Sequence, residues 1–181
     1  GGATLGAVFH VAQLAWLAGL VVPAAIRSAL LPVLGRVRDN PSEHRNELHR
    51  ATDMCFGLLP YGLFGGYIIM SVFAPLAFPS AYLDGTHGAS AVDVFVILLA
   101  GWAFTLLATP TYTSLMAGHH PWRFTGFIVL VLVAASLLGY GLVLEGPEEA
   151  ARKLHSAAVA SSLSAGVLLV LSWWMSGEFD A

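Results

Sequence analysis

Two histidines stand inside apolar runs of this chain: His10 in "ATLGAVFHVAQLAWL" and His155 in "RKLHSAAVASSL". Neutral imidazoles at similar depth on two helices are what axial ligation of a b-type haem requires, each Nε2 approaching the iron from one side. Gln13 and Ser156 lie within a turn of them and are suited to hold the second ring nitrogen in the right tautomer. The competing role for one histidine per helix is interfacial hydrogen bonding or packing, with no iron involved.

Other chemistries find less support. His119 and His120 in "GHHPW" are adjacent, and side chains of vicinal residues on a turn diverge rather than converge on one ion. His44 and His49 are five residues apart, about 140° around a helix, so they do not share a face. Glu43, Glu47 and His44 do share faces in pairs, but a third ligand is missing, and the group reads as a charged solvated face. The single cysteine, Cys55, excludes an intramolecular disulfide and a cysteine-based metal centre; it reads as a small buried hydrophobe. The sequence has no GxSxG, HExxH, phosphate-binding loop or paired intramembrane carboxylate, so no catalytic residue is assigned. Asp53 and Asp93 fall near helix ends, too shallow for a proton relay. The run Thr109, Pro110, Thr111, Thr113, Ser114 makes one stretch polar, with hydroxyls available to the carbonyl that Pro110 frees.

The elements that must position these residues follow from composition. Of the 181 residues 57% are hydrophobic and 10% charged, with a mean hydropathy of +0.75. Soluble domains average roughly 45–50% apolar and 25% charged, so this surface needs a bilayer to cover it. Runs of about 20 apolar residues place membrane helices at 3–26, 54–76, 91–116, 122–144 and 153–175. The fold class is therefore all-α: a polytopic transmembrane bundle of about five helices, with residues 1–181 forming a single domain. Net charge of −3 without a basic patch argues against nucleic acid as a partner.

Orientation comes from the eight basic residues. Arg27, Arg36, Arg38, Arg45, Arg50 and Arg123 fall at one side, Arg152 and Lys153 at the other, which predicts the amino terminus outside and the carboxyl terminus inside. Arg27 ends an apolar span and can reach the headgroups. Trp122 beside Arg123, with Trp173 and Trp174, fits an interfacial belt and lipid contacts. In "RDNPSEHRNELHR", Asn40 is placed to cap a helix whose first residue is Pro41, with Glu43 reaching back. That helix runs solvated, with Glu47 and Arg50 paired, and enters the membrane near Met54; Pro60 then predicts a kink. Gly62 and Gly66 form a GxxxG pair, and Ala158, Ser162 and Gly166 a small-residue ridge; both suit close helix packing, within the chain or against another subunit.

Two function classes remain. The favoured one is a noncatalytic accessory subunit of a larger energy-transducing complex, respiratory or photosynthetic, in an organellar inner membrane such as that of a mitochondrion or in a bacterial cytoplasmic membrane. Its partners would be other membrane subunits and bound lipids. The alternative is an electron-transfer protein binding b-type haem or quinone through His10 and His155. A transporter would need inverted repeats or an intramembrane ion site, and the sequence displays neither. The first residue is Gly1 rather than methionine, which points to residues upstream of the given sequence, a cleaved targeting segment being one option.

Overall fold

The computed structural model describes residues 10, 12–14, 16–80, 83, 90–118, 121–144 and 150–177, and every long element among them is a helix. Five are long and apolar enough to cross a membrane. α1 spans Ala12–Val37. α2 spans Pro41–Ile68 and continues through a π turn at Ile69–Phe73 into Ala74–Ala77. α3 spans Ala91–Ala117, α4 spans Pro121–Gly139 with a π turn at Tyr140–Leu144, and α5 spans Ala150–Gly177. His119 and His120 lie outside the described residues, as do the first residues of the expected 3–26 span.

α3 is the keel. It packs on α1 and α2 along one flank and on α5 along the other, and α4 in turn lies mainly against α5. Half of the apolar window of α3 is buried, against 6% for each of α2 and α4. The core accordingly runs along α3, with Val94, Leu106 and Cys55 enclosed.

Contacts fix the directions of the helices. Trp102 meets Gly19 at an offset of 83 residues, and Leu34 and Ala117, the same distance apart in sequence, share a second cluster. α1 and α3 are therefore parallel. Thr111 meets Ser172 at an offset of 61, and Gly101 lies against Ser162 at the same offset, so α5 is parallel to α3 as well. α2 runs the other way: its Gly62 lies on Trp102, and its Gly66 lies on Leu99.

These offsets turn α3 into a ruler for depth. At one end, His10 is level with Asp93, and Arg152, Lys153 and His155 are level with residues 91–94. At the other, Arg27 is level with Pro110, and Trp173 and Trp174 are level with Tyr112 and Thr113. The two polar levels are about 20 residues of α3 apart, roughly 30 Å at 1.5 Å per residue, which is the thickness of a bilayer's hydrocarbon core. We call them the histidine end and the arginine end. Trp102 lies midway between them.

Helix boundaries depart from the sequence expectation where hydropathy and helicity part company. α1 continues past Arg27 to Val37 because Ile26, Leu30 and Leu34 repeat every fourth residue and are buried there. Pro60 is accommodated inside the α-helical part of α2. The departure from α hydrogen bonding falls instead at Ile69–Phe73, where Ala74 N–H reaches Ile69 O. Pro75 follows immediately and has no N–H for the carbonyl of Ser71, a recurrent setting for a π turn.

The start of α2 is capped as expected in one direction only. Asn40 Oδ1 accepts from Glu43 N–H at 3.5 Å, but Asn40 N–H already donates to Val37 O, so Glu43 has no donor to reach back to. Arg50 pairs with Glu47 at 3.7 Å on the solvated face. Because the cap bond is long and Ser42 shares the acceptor, Asn40→Ala is expected to cost only about 0.5–1 kcal/mol, measurable as a small shift in thermal unfolding of the purified protein.

Candidate functional site

The central feature is a cleft between α1 and α2 whose floor is α3. It has a volume of about 360 Å³, and its walls are largely glycine and aromatic: Gly19, Gly62, Gly65 and Gly66 beside Trp16, Tyr61, Phe95 and Trp102. α1 and α2 come together at the arginine end through Leu30, Leu34 and Ala51. The cleft occupies the fork toward the other end.

Trp102 holds the fork in place. Its indole N–H donates to Gly19 O at 2.8 Å. That carbonyl would ordinarily accept from the N–H four residues on, but residue 23 is a proline and has none. The indole thus supplies the donor that Pro23 removes, midway between the two polar levels. On the opposite edge the ring lies flush on Gly62, and a Cβ there would overlap ring atoms Cη2 and Cζ3. Gly66 is close but less tight, with a Cβ position 3.0 Å from Leu99 Cδ1. Gly62 and Gly66 therefore face α3 within the chain.

A second close seam joins α3 to α5. Ser162 Oγ donates to Ile97 O at 2.5 Å, and a Cβ on Gly101 would stand 3.0 Å from the Ser162 backbone. Ala158 is fully buried, and Gly166 rests on the Phe104 ring. Further along, Thr111 and Ser172 hydroxyls bond each other at 2.8 Å. The hydroxyl run does not, however, cap the carbonyl freed by Pro110, which is that of Leu106. Thr105, Thr109, Thr111 and Thr113 donate instead to Gly101, Thr105, Ala108 and Thr109. Each hydroxyl takes the carbonyl three or four residues back on its own helix, the nearest one its rotamer reaches.

His10 is exposed near the start of α1, and His155 is half-buried in α5. The structure puts them at matching depth, with α3 packed against both helices that carry them. Arg27 is exposed, level with the interfacial tryptophans. Arg123 lies over the Trp122 ring at 5.5 Å from its centroid, and Trp122, Trp173 and Trp174 are all exposed. Among the described residues no three His, Cys, Asp or Glu side chains are grouped to hold a metal ion.

Two features escaped the sequence reading. His44 is not on a purely solvated face: its Nε2 lies 2.7 Å from Ser114 Oγ, docking the start of α2 on the end of α3. Trp102 departs from the interfacial placement expected of tryptophans. A tryptophan in the middle of a span must find an acceptor for its N–H, and a proline-freed carbonyl on a neighbouring helix is the available kind.

Compared with protein-family models, curated proteins and solved structures, the chain matches none of them.

Proposed function

We propose that the chain is a noncatalytic structural subunit of a larger membrane assembly, and specifically of an energy-transducing one. The observation that carries the reading is the outer faces of α2 and α4. Only 6% of the apolar window of each helix is fully buried within the chain, and each carries glycines whose Cβ position is open: Gly57 on α2, Gly126 and Gly139 on α4. A glycine facing lipid contributes no packing and costs helix stability, whereas facing another helix it permits close approach. Around them stand Phe56, Phe64, Leu132 and Leu137, all exposed, which supply the contact area such a neighbour needs. The six-to-two division of basic residues orients the subunit with its amino terminus outside and its arginine end inside. Extraction of a tagged chain in mild detergent followed by native electrophoresis is expected to show it in a band far heavier than the 19.1 kDa chain. Migration as a free chain from its native membrane counts against the proposal.

The matched depth of His10 and His155 favours a second reading, in which they ligate a b-type haem. The interposed α3 works against it, since Val94 and Phe95 are buried at that level. A Soret band that disappears in His10→Ala or His155→Ala would establish the second reading; a colourless native preparation would end it.

A further inference from the structure

We propose that the α1–α2–α3 cleft is a binding site for a planar, carbonyl-bearing ring with an apolar tail, of the quinone class, admitted from the bilayer. The site is separate from His10 and His155, and the proposal stands whether or not the chain is a subunit.

Depth is the first argument. Trp16 is level with Leu99 by the 83-residue offset between α1 and α3, and both line the cleft. That is about seven residues, roughly 10 Å, below the histidine end. The polar part of a phospholipid stays at the interface, so only a molecule soluble in the hydrocarbon core brings an oxygen there.

Chemistry is the second. Trp16 Nε1 is enclosed and has no hydrogen-bond partner, in contrast to Trp102, whose N–H is used. An unpaired N–H in a membrane interior is costly, and a plain hydrocarbon chain would leave it so. A ring carbonyl supplies the acceptor once the Trp16 indole, itself only partly buried, turns toward the cleft. Tyr61, 77% exposed, borders the same opening and offers a second donor.

Shape is the third. Trp16, Tyr61, Phe95 and Trp102 surround a space of about 360 Å³, within the range of small-molecule sites, and aromatic walls favour a flat guest. The glycines leave that space unfilled by the chain itself. A Cβ at Gly65 touches nothing within 4 Å, so bulk can be added there without displacing protein.

The test uses the full chain carrying Trp122→Phe, Trp173→Phe and Trp174→Phe, in quinone-free phospholipid nanodiscs, with decylubiquinone as the probe and indole fluorescence as the readout. Saturable quenching is expected. Trp16→Phe should raise the half-saturation concentration about tenfold, the equivalent of one hydrogen bond. Gly65→Leu should abolish saturation, while Gly57→Leu, equally bulky on the same helix but outside the cleft, should leave it unchanged. Quenching that rises linearly and identically in all variants overturns the proposal. So does competition by hexadecane as effective as that by the quinone, which would assign the cleft to an acyl chain. Should Gly65→Leu fail to fold, the Trp16→Phe shift still decides.

Discussion

Gly62→Ala is expected to destabilise the protein by about 2–3 kcal/mol, although alanine is the better helix former. The added Cβ would overlap the Trp102 ring at Cη2 and Cζ3, and the ring has little freedom to withdraw, since its N–H is bonded to Gly19 on the other side. Relief requires that α2 move off α3 or that the indole give up its bond. The conflict should therefore vanish when the ring is gone. In a Trp102→Ala background, itself destabilised by about 3–5 kcal/mol, Gly62→Ala should become neutral or stabilising by up to about 1 kcal/mol, its intrinsic helix preference. Denaturant titration of the four proteins in one detergent measures the coupling. Gly57→Ala is the control: with no atom within 4 Å of its Cβ position, it should stabilise slightly.

Trp102→Phe tests the other edge of the same ring. Phenylalanine keeps most of the apolar contact and loses the N–H, leaving Gly19 O without the donor that replaces Pro23. The expected cost is about 1–3 kcal/mol, that of an unsatisfied polar group away from water. Pro23→Ala restores a backbone N–H four residues from Gly19, so Trp102→Phe should cost markedly less in that background. Equal costs in both backgrounds would mean that the bond contributes nothing and that the ring acts by packing alone.

The fold was largely legible because a membrane imposes a length, and the five apolar runs met it. What hydropathy concealed was helix outside the bilayer. α1 was cut short at Arg27, the first charge, although the spacing of Ile26, Leu30 and Leu34 carried it on to Val37. Pro60 lies inside the continuous helix Pro41–Ile68, and a change in hydrogen bonding that the sequence did not signal falls next to Pro75. The site was harder to see because its parts are distant in sequence and individually bland. Gly62 stood out as one of a GxxxG pair, but nothing in the sequence said which tryptophan would cover it. The partnership of Pro23, Gly19 and Trp102 required knowing that α1 and α3 are parallel, a fact that no local pattern encodes. Histidine spacing points to ligands, yet His44 bonds Ser114 and joins two helix ends.

The proposed subunit role requires that α2 and α4 present their outer faces to other membrane proteins. Photo-crosslinking residues placed at Gly57 and Gly126, both open positions, and activated in the native membrane test it most directly. Discrete adducts with one or more distinct membrane proteins at both positions are predicted, whereas adducts with lipid alone at both would contradict the claim.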